Sequence, residues 1–206
     1  MTMAVEKSGR QEAQVIGLVS VAHLLSHLYM LALPPLFPQL RTDFNVGYVE
    51  LGLTITAYAI TTGLLQTPIG FIVNRIGGQR VLAAGLFLNA LSIMLAGFAT
   101  DYWQLVALML LAGAGSSVFH PADYSILNAR IASTRIGRAL SAHTLAGNLG
   151  FLAAPPIMVT LAAFSDWRSA AIIIGVMGMV LAVAIFSLTN LLSGEGKTKA
   201  KQKDSW

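Results

Sequence analysis

The sequence has no cysteine and little charge of either sign. Its 206 residues include 13 lysines and arginines and 9 acids, so 11% of the chain is charged while 55% is hydrophobic. Without cysteine there are no disulfides and no thiolate metal sites, and the redox compartment stays open. So few charges leave no wettable surface, because a soluble domain carries about a quarter charged residues. Catalytic signatures are missing as well. There is no His-Glu-x-x-His, no Gly-x-Ser-x-Gly and no Gly-rich phosphate loop ending in Lys-Ser/Thr. These absences argue against an intramembrane hydrolase and against direct use of ATP. An enzyme is not expected, nor a cofactor or a metal centre.

What is present is apolar and patterned. Mean hydropathy is +0.69, the pI is about 9.6 and the net charge is +4. The basic residues fall in short clusters between long apolar runs, the pattern of loops beside a membrane rather than of a nucleic-acid surface. Six such runs lie at about Val15–Leu36, Val49–Val73, Val81–Phe98, Trp103–Leu127, Ala139–Phe164 and Ser169–Leu192. Each is near or above the roughly 20 helical residues that cross about 30 Å of hydrocarbon. No alternating strand pattern appears, and backbone groups in lipid must bond internally, so the runs are expected to be helices. The first is too long and too polar for a cleaved signal peptide.

Orientation follows from the cations. Lys7, Arg10, Arg75, Arg80, Arg130, Arg135, Arg138, Lys197, Lys199, Lys201 and Lys203 flank one side of the runs, and only Arg41 and Arg168 fall on the other. That asymmetry puts both termini in the cytoplasm. The expected organisation is a cytoplasmic N-terminus at 1–14, a six-helix membrane domain at 15–192 and a basic tail or linker at 193–206 without a fold of its own.

Four runs carry a polar face and two do not. Ser20, His23, His27 and Pro34 recur at helical steps in the first; Glu50, Thr54, Tyr58 and Thr61 in the second; Ser116, His120 and Asp123 in the fourth; Ser141, Thr144 and Asn148 in the fifth. The third is broken only by Asn89 and Ser92, and the sixth is apolar until Ser187. This distribution predicts a cavity lined by four helices and propped by two outer ones. The competing reading is that serine and threonine bond back to their own helix carbonyls. A weak internal repeat adds to the first view. A shift of 87 residues lays Pro34 on Pro121, Gly63 on Gly150, Leu65 on Leu152 and Pro68 on Pro155. Three spans per unit make the second copy inverted, as in many secondary transporters.

The loop "GFIVNRIGGQR" between the second and third runs resembles the cytoplasmic signature of the major facilitator superfamily. Gly70, Arg75, Gly77 and Arg80 match it; Asn74 stands where an aspartate is usual and Gln79 replaces one basic residue. "GNLGFLAAPP" resembles the Gly- and Pro-rich fifth helix of members, and "DWR" at Asp166–Arg168 the outer entry to their sixth. "FHPADYSILNARI" with "RIGRALSAHT" resembles a bacterial branch near the fosmidomycin-resistance exporters. The resemblance implies an all-α integral membrane fold of six transmembrane helices, a 3+3 inverted repeat forming one half-bundle, in a bacterial plasma (inner) membrane. Members have twelve spans in two halves with substrate between them, so the chain looks like an amino-terminal half: a fragment, a truncated product or a half-transporter that dimerises. The implied partners are the lipid bilayer, a small-molecule substrate and a second six-helix half, either another copy or a separate carboxy-terminal half. No nucleic acid is expected. The implied function is transport of a small solute by alternating access, coupled to protons. The alternative is a truncated or non-transporting interaction subunit. Gly70, Asn74, Arg75, Gly77 and Arg80 would form a cytoplasmic gate loop.

Asp123 is the sharpest single residue. An acid at mid-membrane costs on the order of 2.5–3.5 kcal/mol on insertion scales, so such residues face a cavity or a partner. His120, three residues earlier, is placed to share a proton with it, and Pro121 to bend the helix. Equally open is a structural bridge from Asp123 to Arg130. His23 and His27, four apart, are read as interhelical hydrogen-bonding groups rather than metal ligands. His143, preceding the small residues Gly147, Gly150 and Ala154, is read as structural. The candidate substrate-lining and proton-coupling set is Asp123, His120, His23, His27, Tyr58 and Asn148.

Overall fold

In a computed structural model the described residues are 2–188, with side chains from residue 9 onward. The basic tail expected at 193–206, the end of the sixth run and the Lys7 side chain lie outside the described residues.

The described backbone is helical: α1 Thr2–Met30, α2 Phe37–Phe44, α3 Tyr48–Ile76, α4 Gly78–Ala96, α5 Tyr102–Ser116, α6 Phe119–Arg130, α7 Ile136–Phe164 and α8 Trp167–Ser187. Six helical segments are long and apolar enough to cross a membrane. The first joins α1 to α2 through a 3₁₀ turn at Pro34–Leu36, and the fourth joins α5 to α6.

The two interrupted spans share a cause. A proline ring clashes with the carbonyl four residues back and supplies no N–H. Met30, four before Pro34, is the last residue of α1; Ser117, four before Pro121, is the C-cap of α5. The first run, expected to be one helix to Leu36, is therefore broken after Met30. In the fourth span the bend falls before Pro121, which sits harmlessly in the first turn of α6. These prolines are related by the 87-residue shift, so the repeat is visible as two matching breaks. Elsewhere the ends are marked by local chemistry. Asn45 closes α2 in the left-handed conformation (φ 51°), and Gly77 separates α3 from α4 at φ 91°, where a side chain would be strained. The carboxylates of Asp101 and Asp166 accept N-cap bonds from the amides of Trp103 (2.8 Å) and Ser169 (2.7 Å).

Packing follows the repeat. The most extensive pairs are α4 with α8, α1 with α7, α4 with α5 and α3 with α5. In terms of spans these are three with six, one with five, three with four, and two with four. Exchanging the first three spans for the last three sends one–five into four–two and leaves three–six unchanged, whereas three–four has no comparably extensive counterpart in six–one. Small residues permit the close approaches: a Cβ on Gly147 would sit 2.7 Å from the His23 ring, and one on Gly150 would press on Leu24 of α1. The structure corrects the idea that the third span is an outer prop. The α4 span buries the largest share of its residues of the six, and the polar-faced α3 and α7 bury the least.

Each end of the bundle carries a clamp. At one, the Arg135 side chain donates to Glu12 (2.7 Å), whose carboxylate also accepts from the Ala132 amide (3.2 Å). At the other, Asp43 accepts from the Trp167 indole (2.7 Å) and pairs with Arg168 (3.5 Å). The Arg168 guanidinium also donates to the carbonyls of Gly97 and Ala99 and lies 4.4 Å from the Trp167 ring centroid.

Candidate functional site

All four histidines of the chain meet around Asp123. The α1 helix supplies His23 and His27 one turn apart, α6 supplies His120 and Asp123, and α7 supplies His143. Asp123 is wholly buried, with His23 and His143 exposing 3% and 1%. Its Oδ2 lies 3.5 Å from His23 Nδ1 and 3.6 Å from His143 Nε2. The sequence had paired Asp123 with His120 or with Arg130. Its ion-pair partners come instead from two other helices. His143, read as a packing residue, belongs to the centre, while Gly147 and Gly150 behind it do make the tight helix contact expected of them.

The rings form a continuous cluster. Centroids lie 4.4 Å apart for His23–His27, 5.2 Å for His23–His120 and 3.9 Å for the stacked His23–His143 pair. Polar atoms here lack hydrogen-bond partners: both oxygens of Asp123, both ring nitrogens of His143, and Nδ1 of His23, His27 and His120. Buried polar groups are ordinarily satisfied, and an unsatisfied one costs about 1–3 kcal/mol. Nitrogens of His23, His120 and His143 lie within 4.8 Å of one another. Zinc needs nitrogen lone pairs converging on one point at about 2.0–2.1 Å. The stacked His23 and His143 rings, 28° from parallel, do not aim their lone pairs at a common point. The arrangement suits protons better than a metal ion.

Beside this centre is a cavity of roughly 220 Å³, lined by His23, Ser26, His27, Tyr58, Thr62, Gln66, Ser116 and His120 among others. Tyr58 is buried; its hydroxyl donates to the Ser26 carbonyl (3.3 Å) and accepts from Asn89 (3.2 Å), fixing three spans to one another. Of the other sequence candidates, Asn148 does not join the cavity: it lies on the exposed face of α7, as do Ser141 and Thr144. Hydroxyls of the expected polar stripes mostly bond their own helices, Thr54 to Leu51, Thr61 to Ala57 and Ser141 to Gly137. The cavity is thus lined from the first, second and fourth spans, and the fifth contributes His143 to the centre and packs Phe151 on His27 (4.2 Å between centroids). Glu50 is exposed at the start of α3 and its carbonyl accepts from Tyr102 (2.8 Å).

A second hollow, about 420 Å³, lies nearer the Gly70–Arg80 loop. It is lined by Thr67, Gly70, Phe71, Val73 and Asn74 of α3 and by Pro121, Tyr124, Ser125 and Asn128 of α6. Gly70 and Asn74 therefore face α6, while Arg75, Gly77 and Arg80 are exposed at the turn. Sequence reading missed Tyr124, whose only signal was its place one turn after His120.

A bundle of broken and continuous membrane-length helices, repeating after three spans around a buried acid, is the architecture of a secondary-transporter half. The chain belongs to the major facilitator superfamily, whose profile matches residues 19–206. It is 25% identical over 149 residues to a probable L-galactonate transporter of Escherichia coli (strain K12), covering 72% of this chain and 33% of that one. Against the fosmidomycin resistance protein of the same organism it is 26% identical over 150 residues, covering 72% and 36%. Against the membrane sensor protein UhpC, also of that organism, it is 24% identical over 146 residues, covering 71% and 33%. The matched part of the chain thus spans about a third of the length of these relatives.

Proposed function

We propose that this chain forms one six-helix half of a secondary transporter that moves a small solute across a bacterial inner membrane by alternating access, driven by protons. Both termini lie in the cytoplasm, and a second six-helix half, another copy or a separate carboxy-terminal half, completes the solute path against the exposed faces of α3 and α7. The observation that carries the reading is Asp123, wholly buried in contact with imidazoles of two other helices and close to a cavity that His23, His27 and His120 line. An acid so placed in a membrane must carry a proton or pair with a protonated imidazole. Either state changes when the cavity opens to a side of different pH. Gly70, Asn74, Arg75, Gly77 and Arg80 form the gate loop; Asn74 keeps a hydrogen-bonding group where relatives place a charge. Galactonate, in one relative's name, puts small organic acids first among solutes to try.

The test is reconstitution of the assembly, as extracted from its native membrane, into liposomes with and without a pH gradient. Asp123→Asn, which cannot ionise, should abolish gradient-driven transport and leave solute exchange intact. Unchanged gradient-driven transport would remove Asp123 from coupling. A second reading, a non-transporting sensor or interaction subunit, is favoured by the relative named as a membrane sensor. It expects no solute flux from the wild-type assembly with or without a gradient.

A further inference from the structure

We propose that the ring of Tyr124 is the plug that separates the histidine–aspartate centre from the open cleft beneath the Gly70–Arg80 loop, so that protons reach Asp123 from one side of the membrane at a time. This rests on proton coupling at Asp123 and adds a route and a residue to it. The two hollows are stacked along the same pair of spans. On α3 the cavity takes residues from Tyr58 to Gln66 and the cleft those from Thr67 to Asn74. On the fourth span the cavity takes Ser116, Phe119 and His120, and the cleft begins at Pro121. Asp123, three residues after His120 and two after Pro121, is therefore level with the boundary and buried, lining neither hollow itself.

Tyr124 stands on that boundary. It lines the cleft and is 44% exposed, yet its ring centroid is 5.8 Å from His120 and 5.9 Å from His143. Among the described residues it is the cleft-lining side chain with ring contacts to the centre. The titratable groups behind it are His23 and His27 of α1, Tyr58 of α3, His120 and Asp123 of α6, and His143 of α7. If all of these were reachable from both hollows at once, the centre would conduct protons and dissipate the gradient. A flat apolar ring excludes water from that passage, and a rotation about its side-chain bonds reopens it. The plug is the ring, so the hydroxyl is dispensable.

The experiment needs no solute. Liposomes containing the assembly and a pH-sensitive dye are given a pH gradient, and the passive proton leak is measured. Tyr124→Ala should raise the leak about tenfold or more, the change produced by lowering a barrier by ~1.4 kcal/mol. Tyr124→Phe should stay as tight as wild type, and adding Asp123→Asn to Tyr124→Ala should abolish the excess. Because the chain has no cysteine, Tyr124→Cys offers an independent route: its leak should fall when a benzyl group is attached to the thiol. A tight Tyr124→Ala, a leaking Tyr124→Phe, or a leak that persists with Asp123→Asn each overturns the proposal. Failure of the transport reading shows separately, as wild-type protein that moves no solute.

Discussion

The middle of the molecule and its two ends treat polar groups in opposite ways. At the ends, Arg168 spreads its donors over two carbonyls and Asp43, and Glu12 accepts from both Arg135 and the Ala132 amide. Around Asp123, ionisable side chains lie close together, and most of their ring nitrogens and carboxylate oxygens have no hydrogen-bond partner. The clamped ends hold helices in place. The centre gathers ionisable groups without such bonds, the feature on which the proposed proton coupling rests.

That contrast can be broken most forcefully at the helix contact supporting the centre. A Cβ on Gly150 would lie 3.0 Å from the Leu24 carbonyl carbon and 3.1 Å from His27 Cβ. Gly150→Ala should cost about 1–3 kcal/mol by overpacking, and Gly150→Leu should prevent folded protein from accumulating. Gly137→Ala, with nothing near its Cβ, is the control. Yield and unfolding temperature in detergent read both.

The next test opposes an end to the middle. Arg168→Ala should lower stability by about 2 kcal/mol, the scale for losing hydrogen bonds from a charged donor, and leave the pH profile of transport in place. Lysine should not rescue it, because it cannot serve several acceptors in one plane. His143→Gln should do the reverse, moving the pH profile while the unfolding temperature holds. A His143→Gln protein as destabilised as Arg168→Ala would erase the distinction.

The smallest effect is at Asp166. Hydrogen bonds from Ser169, and the Arg168 charge beside it, hold this exposed carboxyl below its usual 3.8. A depressed folded value means that its contribution is complete above pH 3.8 and is lost as the pH falls through the lower folded value. Wild type and Asp166→Ala should therefore differ slightly in unfolding temperature at neutral pH and converge in acid.

Much of this was legible from single residues. Hydropathy located six spans, Pro121 announced the break in the fourth, and Asp123 stood out by cost alone; the matching break before Pro34 was not expected. What stayed hidden was anything that needs three helices at once. His23, His120 and His143 are far apart in sequence, and no spacing rule brings α7 against α1 at His143. The polar stripes misled because Thr54, Thr61 and Ser141 find acceptors within their own helices, so an intramembrane hydroxyl says little about a cavity. Asn148 lies with Ser141 and Thr144 on the exposed face of α7, away from the histidine cluster.

The pairing of α4 with α8 has a consequence for how the protein is made. Spans leave the ribosome in order, and the third cannot meet its most extensive partner until the sixth has been synthesised. Through that interval Gln79, buried in the finished bundle and donating to the Phe186 carbonyl of α8, is deprived of that partner and presented to lipid or to an insertion factor. Translation stalled after the fifth span should leave α4 open to chemical labelling and to membrane proteases, and release of the sixth should close it. The sixth span to emerge is the one that seals the third.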